Sequence, residues 1–160
     1  MDETIEKALN DQIKHEAYSA YLYLSMAAYF DSINLPGFAH WMKVQRDEEQ
    51  SHALKIYDYV YDRGGRVTLQ ALEQPPSEFG SALEAFQQAL EHERKVTGLI
   101  NGLHELAQKH SDYATQAFLQ WFINEQVEEE KTASDIVERL KLAGERGSAL
   151  LWIDKELGSR

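Results

Sequence analysis

Glutamates stand inside the apolar seams of this sequence, and no other feature constrains its fold as strongly. Apolar residues recur every three or four positions over four long stretches, the pattern of amphipathic helices that share one core. The first seam reads Ile5, Leu9, Ile13, Glu16, Ala20, Tyr23 and Ala27, and the second Phe38, Met42, Gln45, Glu49, His52, Ile56 and Val60. The third reads Leu83, Phe86, Leu90, Glu93, Val96, Ile100 and Leu103, and the fourth Phe122, Glu125, Glu129, Thr132, Ile136 and Leu140. Each acidic cluster lies within about three residues, or roughly 5 Å, of its helix midpoint. In a bundle of near-equal helices the charges therefore meet at one level. Carboxylates are rarely buried unless paired or bound to a cation, and several of them facing each other in a low-dielectric core repel strongly. A bound cation resolves the conflict.

The stops between the seams give an all-α fold. Helix α1 is expected over residues 2–31, ending before the turn signal Asn34-Leu35-Pro36-Gly37, and α2 over 38–63, ending at Gly64-Gly65, which can supply a left-handed cap. Helix α3 spans 81–110 and opens with a capping-box spacing, Ser81 with Glu84, while Ser111-Asp112 offers the N-cap of α4 over 113–143. Gly144 and Gly147 close α4, and an apolar segment with Leu150, Leu151, Trp152 and Ile153 forms a short α5 over 148–157. The connection 66–80 contains Pro75-Pro76 and has no periodicity. Its roughly 15 residues reach about 50 Å when extended, enough to run along a helix of about 42 Å. The α1–α2 and α3–α4 turns are short and antiparallel, so α2 and α3 can be parallel, which gives an up-down-down-up four-helix bundle with a long crossover.

A single domain over residues 1–160 fits this length, with 43% hydrophobic residues for its core. The absence of cysteine excludes disulfides and thiolate metal sites, so a metal here takes oxygen and nitrogen ligands. With 27 acidic against 16 basic residues the net charge is -11, which disfavours nucleic acid and anionic membranes and favours cations. An acidic surface also serves solubility alone. No basic-then-apolar leader and no 18-residue apolar run is present, so the chain is expected in the cytoplasm, with no membrane partner.

Glu49 and His52 form a Glu-x-x-His pair, whose spacing puts both side chains on one helical face so that they can share a metal. Mostly oxygen ligands with one imidazole suit iron or manganese, and bridging carboxylates are characteristic of di-iron proteins. The pair alone is common in acidic helices; the opposing carboxylates make it specific. His15 points about 100° away from the face of Glu16, and His40, His104 and His110 lack partnered spacing, so these four are expected at the surface or in structural roles. Trp41, Trp121 and the Tyr57, Tyr59 and Tyr61 cluster read as packing residues or subunit contacts.

The segments Gln12-x-x-x-Glu16-x-x-Ser19-Ala20-Tyr21-Leu22-Tyr23, Glu48-Glu49-x-x-His52-Ala53, His92-Glu93 and Asn124-Glu125-Gln126-Val127-Glu128-Glu129-Glu130 resemble the non-haem ferritins, in wording the prokaryotic and archaeal branch. The resemblance runs from about Ile5 into the Leu157 region. It implies a ferroxidase centre in which Glu16, Glu49 and His52 hold one iron, Glu49 bridges, and Glu93 with Glu129 holds a second, with Gln126 close by and Tyr23 donating a hydrogen bond beside it. A core tyrosine seeking a partner for its hydroxyl is an equal reading of Tyr23. A third, weaker iron site from Glu48, Glu125 and Glu128 with Glu129 is also implied, against the plain alternative of a solvated acidic face. Where bacterioferritins carry a second Glu-x-x-His, this sequence reads Gln126-x-x-Glu129, and Gln50 stands at the position of their haem methionine, so no haem is expected. Met42 lies on the core stripe and is read as packing.

The activity implied is oxidation of Fe(II) by dioxygen and deposition of ferric oxyhydroxide inside a homo-oligomeric shell of twenty-four subunits. Two other readings remain: a di-iron oxidase or peroxidase of the rubrerythrin type, which would want a second Glu-x-x-His or a cysteine-ligated iron domain, and a non-catalytic helical scaffold. Helix α5 gives the shell partial independent support, being too apolar to be left in water.

Overall fold

The computed structural model describes all 160 residues, which form five helices with their connections and no strand. Helix α1 covers Glu3–Ser32, α2 Pro36–Asp62, α3 Ala82–Lys109, α4 Tyr113–Ala143 and α5 Gly147–Leu157. None is long and apolar enough to cross a membrane.

Local chemistry explains the ends. Ser81 accepts from the Glu84 amide while Glu84 returns a bond to the Ser81 amide, so the expected capping box starts α3. Asp112 caps α4 through the Thr115 amide at 3.0 Å. Past α2, Gly64 takes φ +72, the left-handed conformation that glycine adopts without steric cost. Helices α1 and α3 start one residue later than expected, at Glu3 and Ala82, and α2 and α5 start earlier. Helix α2 begins at Pro36 instead of residue 38, because proline at the first helical position forfeits only an amide that lacks a partner there anyway. Helix α5 begins at Gly147, and its N-cap Arg146 makes no side-chain capping bond.

The crossover lies along α1. Asn10 donates to the Arg66 carbonyl at 2.9 Å and accepts from the Thr68 amide at 2.7 Å, whereas further on Ser25 donates to the Pro76 carbonyl and Tyr29 to the Gly80 carbonyl. The chain thus leaves α2 beside the start of α1 and enters α3 beside its end. Since α1 and α2 pack antiparallel across a short turn, α2 and α3 run parallel, as the up-down-down-up order requires.

A polar layer cuts the core in two. One apolar half gathers Phe30, Phe38, Met42, Phe86, Leu140 and Ile153, and the other Ile5, Leu9, Ile56, Ile100 and Phe122. Between them lie Glu16, Glu49, His52, Glu93, Gln126 and Glu129, all buried. Four seam positions, Ala20, Leu83, Glu125 and Thr132, are not buried as the periodicity predicts. Ser19 is buried where Ala20 is only partly so, and on α4 the buried residues are Gln126 and Ala133, with Glu125 partly buried and Thr132 exposed. A rule of threes and fours fixes a face only to within one position; the neighbouring helix decides the rest.

Candidate metal centre

Each of the four long helices delivers one carboxylate or more to the polar layer. Helix α2 contributes Glu49, with no exposure at all, and one turn later His52, whose Nδ1 lies 3.4 Å from Glu49 Oε2 and 3.9 Å from Glu16 Oε2 of α1. Helix α3 contributes Glu93 and α4 Glu129. Glu16, Glu49 and His52 form one group able to surround a cation, and Glu49, Glu93 and Glu129 form a second. Glu49 is common to both.

The hydrogen bonds around these groups fall on their outer sides. Gln12 Nε2 donates to Glu16 Oε1 at 3.1 Å, Tyr23 donates its hydroxyl to Glu93 Oε1, Gln126 Nε2 donates to Glu93 Oε2 at 3.2 Å, and Gln45 Nε2 donates to Glu129 Oε2 at 2.5 Å. Glu16 Oε2 and both oxygens of Glu49 are buried without any hydrogen-bond partner. Buried polar atoms are nearly always satisfied, so three unsatisfied carboxylate oxygens at the centre of one cluster fit a cation that the donor set is built to receive.

Electrostatics point the same way. Burial, and then the charge of Glu49, hold Glu16 well above the usual carboxylate range, and burial followed by the charge of Glu93 does the same for Glu49. Burial raises Glu93 despite the bond from Tyr23, and burial with the neighbouring Glu93 pushes Glu129 up to about 8. Tyr23 is held well above its ordinary value by burial and by Glu93, so it stays protonated and donates. A metal ion reverses the preference of every one of these carboxylates.

The members expected of a third site are only partly assembled. Glu125 joins Glu129 and His52 in a third candidate group, but Glu48 turns to Arg160, with 3.0 Å between Oε1 and Nη2, and Glu128 is exposed. Trp121 lies edge-on to His52 with 5.3 Å between ring centroids, while Trp41 is core. Gln45 stands in the second seam and Gln12 in the first motif with no role that the sequence alone assigns. Each lies one turn before a ligand on the same buried face, a signal that polar seam residues at i−4 could have carried.

Four long antiparallel-paired helices around a buried carboxylate–histidine layer define the class: a ferritin-like carboxylate bundle. The sequence from residue 6 to 143 matches the family described as the ferritin-like domain. The chain is 44% identical over 160 residues to a bacterial non-heme ferritin of Bacteroides fragilis, covering 100% of this chain and 99% of that protein. It is 44% identical over 154 residues to a bacterial non-heme ferritin of Staphylococcus haemolyticus, covering 96% of this chain and 93% of that one. Among solved structures, an open pore ferritin from the archaeon Archaeoglobus fulgidus superposes with a TM-score of 0.99 at 57% identity, covering 100% of this chain and 99% of that one. The chain belongs to the ferritin family, whose function is iron storage with ferroxidase activity.

Proposed function

We propose that this chain oxidises Fe(II) with dioxygen at a paired site and deposits ferric oxyhydroxide mineral inside a homo-oligomeric shell of twenty-four subunits in the cytoplasm. In this reading iron is substrate and cargo. Glu16, Glu49 and His52 receive one Fe(II), Glu93 and Glu129 the other, and Glu49 serves both. The observation that carries it is the set of partnerless oxygens on Glu16 and Glu49, surrounded by side chains that each donate from outside. Tyr23 and Gln126 hold Glu93 in orientation, Gln12 does so for Glu16, and Gln45 for Glu129.

Two Fe(II) ions at adjacent positions together supply the two electrons that take dioxygen to the peroxide level, and hydrolysis of Fe(III) to mineral releases protons to solvent. The half without histidine binds its iron less tightly, which suits release to a mineral; equal affinities in stepwise Fe(II) binding would count against this. The third-site reading keeps Glu125, Glu128 and Glu129 and requires Glu48 to leave Arg160.

Aerobic addition of Fe(II) tests the oxidation. Prompt ferric absorbance is expected, with initial rates falling by about tenfold or more in Glu49→Ala and His52→Ala, the usual scale for disturbing a metal's ligand environment. A scaffold without catalysis would give no absorbance beyond that of buffer.

A further inference from the structure

Arg160 lies beyond α5 yet reaches back across α2 to the metal centre. Its Nη1 donates to the Trp41 carbonyl at 3.2 Å and to Gln45 Oε1 at 3.0 Å, and its Nη2 pairs with Glu48. The guanidinium sits 4.6 Å from the centroid of the Trp41 ring, and the Arg160 carbonyl is 3.1 Å from His40 Nε2. Gln45, only 1% exposed, passes the connection inward through its 2.5 Å bond to Glu129. An unbroken line of guanidinium, amide and carboxylate therefore joins the end of α5 to the site.

The chemistry of the line gives it a direction. A guanidinium has donors only, so it engages the oxygen of the Gln45 amide. With its oxygen held, Gln45 must present its NH2 group to Glu129, the orientation that a carboxylate requires. An amide without that anchor is free to turn about its last torsion and offer oxygen to oxygen. A planar fork that sets Nη1 on Gln45 and the Trp41 carbonyl and Nη2 on Glu48 at once is not reproduced by the point charge of a lysine.

From these contacts we infer that Arg160 is a positioning residue for the iron-handling site: through Gln45 it holds Glu129 ready for the metal shared with Glu93. The inference rests on the paired-site reading above, and it adds a long-range element, the segment after α5, to what sets metal affinity.

Co(II), which does not turn over with dioxygen, titrated into the whole assembled protein tests it, with stepwise affinities from calorimetry and the visible bands of the bound ion as a second readout. Arg160→Ala is expected to weaken the second Co(II) step about tenfold, as loss of a partner behind a metal ligand does, and to leave the first unchanged. Arg160→Lys should recover only part of the loss. In a Gln45→Met background Arg160→Ala should have no further effect, because the line is already cut. Arg139→Ala, which removes the separate pairing of α4 with Glu156 of α5, should leave both steps as they were. An unchanged second step in Arg160→Ala overturns the inference while the paired-site reading stands. So does an equal loss in the Gln45→Met background, which would mean that the charge beside Glu48 acts directly, or an equal loss in Arg139→Ala, which would mean that α5 docking alone matters. Absence of any Co(II) uptake by the native protein would remove the paired site and the positioning role together.

Discussion

The centre is built from residues that would rather be neutral, and this makes the metal-free protein unusual in its response to pH. Glu129 titrates at about 8 and Glu16, Glu49 and Glu93 are all raised, burial being the largest cause for each. Over the interval from the ordinary glutamate value to about 8 the folded chain holds protons that the unfolded chain has released, so stability falls as pH rises. The metal-free protein is therefore expected to lose several degrees of melting temperature between pH 5 and 8, with a shallower slope in Glu129→Gln, as followed by circular dichroism. Bound divalent metal should invert the trend, since binding releases the same protons. Glu16, Glu49, His52, Glu93 and Glu129 were legible because a charge inside an apolar period is conspicuous whichever helix carries it. Ser19 was not: periodicity cannot separate it from Ala20, and what buries it is His92 on α3, 2.7 Å from its hydroxyl. Arg160 has no period at all, and its contact with Gln45 spans 115 positions of the chain.

Helix ends divide in the same way, into those the sequence carries locally and those that tertiary contact supplies. The Ser81 and Asp112 caps lie beside the helices they start and could be read directly. Helix α2 has no such cap, for Leu35 makes no side-chain bond. Its first turn is instead capped from α5, where the buried Asp154 accepts from the Phe38 amide at 2.9 Å across 116 positions. Glycine at 37 permits that approach: a Cβ there would lie 1.7 Å from the Asp154 carbonyl oxygen. Asp154→Ala should cost about 2 kcal/mol in thermal unfolding, combining a lost N-cap with a buried amide left unpaired. Gly37→Ala should go further and free α5 altogether, because the obstruction is backbone and cannot rotate away. Limited proteolysis would then cut after α4 in Gly37→Ala well before the native chain is touched. An α5 equally resistant in both proteins would show that other contacts hold it.

At the scale of the whole molecule, oxidation and storage make different demands. Every group of the candidate metal centre comes from one bundle, so the proposed oxidation site needs only a single chain. Retaining a mineral needs an enclosing surface, and the exposed apolar residues show where one would be made. Leu151 and Trp152 of α5 are 59% and 64% exposed, and Trp152 with Leu142, Ala143 and Ala149 borders a cleft between α4 and α5 of about 440 Å³. A second apolar groove, with Tyr21, Leu24 and Leu72, lies where the crossover passes α1 and α2. Patches of this kind on an otherwise acidic surface mark contact with further copies. In the proposed shell, Leu151→Asp combined with Trp152→Glu places charges in such a contact, where unpaired burial is strongly unfavourable. Native protein should sediment as a large assembly and the double variant as small species. Because the site is contained within the bundle, the variant should still oxidise Fe(II) at a rate within about threefold of native, a change of less than 1 kcal/mol in barrier. Its product, however, should precipitate instead of remaining in solution. If rate and retention were lost together, the site would depend on assembly and the separation of the two functions would fail. If neither changed, α5 would not be where the copies meet.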